Sequence, residues 1–128
     1  MYVMQNTSTG DYLTTSGTYV AANGSAVGID NLVTIEDSKI KSVTKNLYFN
    51  GYNGDVSFSS SGTDYIFTNN SGVFTISFSR YVIFQGTTIY YLKQTDDSTT
   101  VQMSSGNSGN TSWKFYAVNE VKKEYVVE

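Results

Sequence analysis

The chain has 128 residues, a formal net charge of −3, no cysteine and no histidine. This length is typical of one domain with its own core, and the missing cysteines exclude disulfides and thiolate chemistry. The net negative charge and the single arginine disfavour binding to phosphate backbones, so we expect no nucleic acid partner. No apolar run reaches the roughly 18 residues of a membrane helix, so we expect a soluble chain with no membrane insertion.

Short runs with apolar residues at every second position fill the chain, and clusters of Gly, Asn, Ser and Asp separate them. Period-two alternation of β-branched and aromatic residues is typical of half-buried strands. The pattern therefore predicts an all-β fold. In chain order, the predicted strands span residues 2–4, 11–15, 18–22, 32–36, 39–43, 46–50, 55–59, 73–78, 81–84, 88–93, 100–103 and 113–117.

An internal repeat is visible in three of these strands, which share an apolar-polar-apolar triplet. The triplets are Val33-Thr34-Ile35, Phe74-Thr75-Ile76 and Trp113-Lys114-Phe115, and they start about 40 residues apart. Each triplet follows a turn-rich stretch. The spacing predicts a single domain over residues 1–128 with four strands per repeat. The repeats cover approximately 2–37, 38–79 and 80–118, and residues 119–128 form a closing strand or a linker.

Threefold repetition with four strands per unit resembles the β-trefoil family, and specifically its ricin-type lectin branch. The resemblance is carried by Gly10-Asp11-Tyr12-Leu13, Asn46-Leu47-Tyr48-Phe49 and Tyr90-Tyr91-Leu92, together with the fourth-strand Trp113. Of the family's Gln-x-Trp hallmark, only this Trp is present. The resemblance implies shallow sugar pockets built from an early Asp, a stacking aromatic and a later Asn. A two-sheet β-sandwich is the alternative architecture.

Catalytic chemistry has few candidate residues. Without His or Cys, the usual general base, nucleophile and transition-metal ligands are missing. A carboxylate pair is enough for a glycosidase, but acids such as Asp55 and Asp64 fall in turns, where Asp hydrogen-bonds local backbone. Asp96, Asp97 and Asn107 lack the ligand spacing of a calcium loop. We therefore predict a non-catalytic domain with no cofactor and no metal.

The chain's eleven Tyr and seven Phe fall into two groups. Residues in the alternating runs are predicted to be core, and Trp113 is predicted to point inward. Aromatic side chains in turn clusters have no strand to pack from, and beside amides and carboxylates they suit sugars. The predicted core residues are Phe49, Phe74, Phe115, Leu13, Leu92 and Ile35. The predicted ligand-binding residues are Tyr52, Asn53 and Asp55; Tyr65, Asn69 and Asn70; and Tyr19 and Asn23.

Together these features predict a carbohydrate-binding, lectin-like module of a secreted or cell-surface protein, for example part of a bacterial adhesin or glycan-degrading enzyme. The composition, rich in Ser, Thr, Asn, Gly and Tyr with only 15% charged residues, favours an extracellular location. The first alternative is a protein-interaction or structural adhesion domain without sugar binding. The second is an inhibitor or toxin-associated trefoil, whose protruding reactive loop would be residues 60–72.

Overall fold

The computed structural model of the chain describes residues 1–96, 98–121 and 124–127; Asp97, considered above as a calcium ligand, lies outside them. The all-β prediction is confirmed, since the described part contains antiparallel strands and one short 3-10 helix, Ile29–Asn31. None of its helices is long and apolar enough to span a membrane. The strands are β1 (Tyr2–Asn6), β2 (Tyr12–Thr14), β3 (Ala21–Asn23), β4 (Val33–Glu36), β5 (Lys39–Ser42), β6 (Leu47–Asn50), β7 (Gly54–Asp55), β8 (Ser57–Ser59), β9 (Ile66–Asn70), β10 (Val73–Val82), β11 (Gly86–Gln94), β12 (Val101–Ser105), β13 (Trp113–Val121) and β14 (Glu124–Val127).

The strands form an open antiparallel sheet in the order β7-β12-β11-β10-β13-β1-β4-β5-β6-β8. Three further elements lie off this path: the β2–β3 hairpin pairs with β1, β9 pairs with β10, and β14 pairs with β13. The three repeated triplets begin at or next to the start of β4, β10 and β13. These strands lie close together in the sheet, since Val33 pairs with Tyr2 of β1 and Phe74 pairs with Trp113.

Trp113 lies in the core, as predicted. Its side chain is fully buried, and its indole Nε1 donates a hydrogen bond to the Leu92 carbonyl at 2.9 Å. Leu13, Phe49 and Leu92 are also buried as predicted. The other three core candidates are less buried than predicted. Phe74, Phe115 and Ile35 are only partly buried. Phe115 and Ile35 pack against the core, and Phe74 contacts Phe115.

β9 is the strand that the sequence pattern misses, because residues 60–72 read as a turn-rich loop. Within that stretch, Ile66–Asn70 pairs along its length with β10, and the positive φ angles of Ser71 (56°) and Gly72 (89°) close the hairpin. Two asparagines at the end of β9 have low strand propensity, but ladder bonds to β10 outweigh that preference. Residues 60–72 are thus partly a paired strand rather than the free loop that an inhibitor would present.

The β10–β11 hairpin is longer than predicted. β10 continues through the expected repeat boundary at residues 79–80 and pairs with β11 as far as Val82 opposite Gly86. The strand predicted at 81–84 is therefore wrong in its second half, where the chain turns at Ile83, Phe84 and Gln85. Gly86, with φ of 84°, adopts the left-handed conformation that lets the chain re-enter the sheet.

Candidate functional site

A polar cavity of about 740 Å³ opens between the β1–β2 turn and the segment that follows β11. We call it the polar pocket. Its walls combine hydroxyl, carboxylate and amide groups, and none of the described residues that line it is aromatic. The lining residues are Thr9, Asp11, Gln94, Asp96, Ser98, Thr99 and Asn110.

Asn6 shapes the wall that carries Thr9 and Asp11. Its side chain is fully buried at the end of β1, and its Oδ1 accepts hydrogen bonds from the backbone N–H groups of Ser8 (3.0 Å) and Thr9 (3.3 Å). Its Nδ2 donates to the carbonyl of Asn110 at 2.9 Å. Asn6 therefore stabilises the β1–β2 turn and links it to Asn110 on the opposite wall. Asn side chains commonly hydrogen-bond the backbone of turns in this way.

Gln94 is the residue that fixes the floor of the polar pocket. It ends β11 with 1% exposure, and its Nε2 donates to Asp11 Oδ2 at 2.8 Å and to the Ser98 carbonyl at 3.0 Å. Its Oε1 accepts a hydrogen bond from Thr9 Oγ1 at 2.7 Å. The half-buried Asp11 carboxylate is thus held in one orientation. Within the described residues, no donor occupies its other oxygen, Oδ1, which leaves an acceptor for a ligand.

The site predictions did not include these residues. Asp11 was identified only as part of a turn that resembles the ricin-type pattern, and neither Gln94 nor Asn110 was predicted to bind a ligand. Their side chains come together from three segments, with Asp11 and Gln94 separated by 83 positions. The only local signal was the Gly10-Asp11 turn, in which Gly10 has a φ of 78°.

Tyr52 lies in an aromatic cluster near the base of the β10–β11 hairpin. Its ring stacks on Phe78 with centroids 4.8 Å apart, meets Tyr90 edge-on at 5.8 Å, and has the Arg80 guanidinium 5.3 Å from its centroid. The ring is half-buried, so much of it is used in packing within the chain. Tyr52 was predicted to bind a ligand because a turn residue was expected to leave its ring free. Its packing against Phe78 and Tyr90 leaves less ring surface for a ligand than that prediction assumed.

The two polar residues predicted beside Tyr52 are both exposed. Asp55 Oδ1 accepts a hydrogen bond from Gln102 Nε2 at 2.9 Å, and Asn53 precedes Gly54 in the same turn. This pair repeats, on the surface, the carboxylate–glutamine contact that Asp11 and Gln94 make inside the polar pocket.

The Tyr65, Asn69 and Asn70 cluster does not form in the structure. Tyr65 is a core residue with 3% exposure, and its hydroxyl donates to the Gly51 carbonyl at 2.6 Å. Its ring therefore has no open face for a sugar. Asn69 and Asn70 are exposed at the far end of β9, roughly 13 Å along an extended strand from Tyr65. Asn69 Oδ1 accepts from the Gly72 N–H at 2.7 Å and so closes the β9–β10 turn.

Burial raises the pKa of the Tyr65 phenol well above its ordinary value. The folded state therefore keeps the proton when an unfolded chain loses it near pH 10, so Tyr65 stabilises the fold fully below about pH 10 and progressively less above it. Replacing Tyr65 by Phe is expected to lower the free energy of unfolding by about 1 to 2 kcal/mol at neutral pH. Urea titrations on both sides of about pH 10 check this. The difference between wild type and variant should shrink at the higher pH, and a constant difference would contradict the assignment.

Tyr19 and Asn23 are both on the surface. Tyr19 is 51% exposed in the segment before β3, and Asn23 is exposed at the end of β3, where it pairs with Tyr12. Neither residue lines the polar pocket. They remain predicted ligand contacts.

Asp64 does not have the environment of a general acid. Lys39 Nζ lies 2.8 Å from its Oδ1 and Ser38 donates at 3.1 Å, and these hydrogen bonds hold the pKa of the carboxyl below its usual range. A glycosidase acid needs the opposite shift. Over the described ranges, no group of three or more Asp or Glu side chains is arranged to hold a metal ion.

Comparison with known proteins assigns no family to this geometry. No protein-family model, curated protein or solved structure matches the chain.

Proposed function

We propose that this chain is a non-catalytic carbohydrate-binding module, displayed outside the cell, whose sugar site is the polar pocket. The observation that carries the proposal is the Asp11 carboxylate, which Gln94 holds at the wall of a cavity lined by polar side chains. A sugar presents adjacent hydroxyls that both donate and accept. Carboxylates accept from such hydroxyls, while amides and the Ser and Thr hydroxyls do both.

The repeat pattern supports the same function. We further propose that the sheet is a divergent trefoil of three repeats, because the repeated triplets lie at the starts of β4, β10 and β13. Asp11 and Asp55 follow the glycine of corresponding turns in the first and second repeats. An early Asp in this position is what the resemblance to ricin-type lectins implies for a sugar site.

The pocket departs from the ricin-type pattern because no stacking aromatic is present among its described lining residues. Its ligand would be held mainly through hydroxyls rather than through apolar C–H faces. Such contacts replace bonds to water and give little net free energy each, so binding at one site is expected to be weak. Several copies displayed together would raise the overall avidity.

The test compares Asp11→Asn with Asp55→Asn on a glycan array, followed by calorimetry on any glycan that binds. The two substitutions remove the same charge from corresponding turns, and asparagine can still accept the hydrogen bond from Gln94 or Gln102. If the polar pocket is the site, Asp11→Asn weakens binding roughly ten- to a hundredfold, because a hydrogen bond to a charged group contributes about 1.5 to 3 kcal/mol. Asp55→Asn is expected to bind like wild type.

Two outcomes would count against this proposal. Loss of binding in Asp55→Asn or Tyr52→Ala, with Asp11→Asn unchanged, would move the sugar site to the turn before β7. A folded wild type that binds no glycan would overturn the carbohydrate-binding function itself. Circular dichroism of each variant shows whether the fold is retained.

A further inference from the structure

The end of the β10–β11 hairpin exposes an unusual amount of apolar surface. We call it the tip and define it by Tyr81, Ile83, Phe84 and Ile89, which are 70%, 67%, 99% and 42% exposed. Phe84 also has a φ of 67°, a conformation that is an outlier for a bulky residue. No other part of the described chain covers these exposed side chains. An apolar patch at the end of a protruding hairpin is typical of a surface that binds another molecule.

A second apolar feature lies at the opposite end of β10. A cavity of about 450 Å³, which we call the apolar pocket, is lined by Tyr2, Ile35, Phe67, Phe74 and Phe115. Phe115 is its centre, with ring centroids of Tyr2, Phe67 and Phe74 at 6.0, 6.2 and 5.2 Å. These rings meet at steep angles of 58° to 78°, an arrangement that accepts a further aromatic ring edge-on or face-on. The volume is within the usual range of small-ligand pockets and admits a phenyl side chain.

The tip cannot fill the apolar pocket of its own chain. Phe74 and Val82 are both on β10, so one continuous strand leads from the pocket to the tip. Eight residues of extended strand span roughly 26 Å. A tip that enters an apolar pocket must therefore come from another molecule.

We propose that the tip of one copy docks into the apolar pocket of a second copy, head to tail. The chain itself supplies both halves of the contact, and they lie at opposite ends of one strand. Such a contact uses different surfaces on the two copies, so it leaves a free tip at one end and a free pocket at the other. The products are chains of protomers, which close into rings where the rotation between successive copies allows it.

The area of the tip sets the strength of this association. A fully buried aromatic side chain covers about 150 to 250 Å², so Phe84 with parts of Tyr81 and Ile83 offers roughly 400 to 500 Å². A stable interface needs about 800 Å² from each partner. Association is therefore expected to be weak, reversible and dependent on concentration, with chains forming where many copies are held close together. This inference is independent of sugar binding.

The experiment is sedimentation velocity from low micromolar to near-millimolar protein, with one variant in each half of the contact. Phe84→Ser removes the most exposed ring of the tip. Tyr2→Glu places a charge at the edge of the apolar pocket, where Tyr2 is 39% exposed. We expect the average mass of wild type to rise with concentration. Each variant alone should associate at least about tenfold more weakly, as for a central interface residue. Ile29→Ser is the matched control, because Ile29 is 50% exposed but belongs neither to the tip nor to the lining of the apolar pocket, so the substitution should leave association unchanged.

Mixing the two variants distinguishes the head-to-tail contact from any other. Phe84→Ser keeps an intact pocket and Tyr2→Glu keeps an intact tip, so the equimolar mixture should form a one-to-one complex and nothing larger. If Tyr2→Glu fails to fold, as judged by circular dichroism, Phe67→Glu on the edge strand β9 serves in its place. A monomeric wild type at every concentration overturns the proposal. A mixture that does not associate while wild type does would assign the contact to two tips. Binding of monomeric wild type to lipid vesicles through Phe84 would assign the tip to a membrane surface.

Discussion

Replacement of Trp113 by alanine is expected to lower the free energy of unfolding by about 3 to 5 kcal/mol. Trp113 is fully buried at the start of β13, and its neighbours come from distant parts of the chain, so they cannot collapse fully into the space that the indole leaves. The substitution also removes the donor to the Leu92 carbonyl. Chemical unfolding followed by circular dichroism measures the loss.

Trp113→Phe separates the loss of core packing from the loss of the hydrogen bond to Leu92. It keeps an aromatic ring in the core but leaves the Leu92 carbonyl without its 2.9 Å donor, so its cost should be smaller than that of alanine. Because Trp113 is the sole tryptophan of the sequence, its fluorescence reports wild-type unfolding directly. A loss below about 1 kcal/mol for the alanine variant would mean that the indole is not part of a packed core.

Gln94→Leu is expected to have the second largest effect, with a loss of about 2 to 4 kcal/mol of unfolding free energy. Leucine has a similar size, but it leaves the Ser98 carbonyl, the Thr9 hydroxyl and one oxygen of Asp11 without the partner they have in the wild type. Gln94 is 1% exposed, so water replaces those bonds poorly. Urea unfolding measures the change.

Gln102→Leu is the matched control for Gln94→Leu. Gln102 donates to Asp55 at 2.9 Å in a contact on the surface, where solvent can take over the hydrogen bond. We expect it to cost less than about 1 kcal/mol. Equal losses for the two glutamines would contradict the view that burial makes the Gln94 network important.

Strand positions were predictable wherever alternation and turn chemistry agree. The Val33-Thr34-Ile35 run gave β4 almost to the residue, because a strand with one buried face needs period two. Tyr81-Val82-Ile83-Phe84 has the same strand-like composition, yet the chain turns there. The pairing of Phe78 with Tyr90 fixes the hairpin register, and that register places Ile83 and Phe84 in the loop. Local composition contains no information about register.

The polar pocket was not predictable for a related reason. Asp11 and Gln94 are 83 residues apart, and each has an unremarkable local setting: one in a turn, one at a strand end. Tyr65 shows the reverse error. It stands just before β9 in a polar stretch that reads as a loop, but the backbone bond from its N–H to the Ser38 carbonyl carries it into the core. Both outcomes depend on pairings between distant segments.

The β1–β13 ladder also determines when this chain can fold as it is made. All five residues of β1 pair with β13, and Thr7 hydrogen-bonds to Ser112, which is 105 residues away. A ribosome adds roughly 5 to 20 residues per second, so β13 leaves the exit tunnel about 5 to 20 seconds after β1 does. During that time the apolar side chains of Val3 and Met4, fully buried in the finished fold, have no sheet partner on that side. Expression at lower rates lengthens this interval, and chaperones that shield nascent apolar segments act within it.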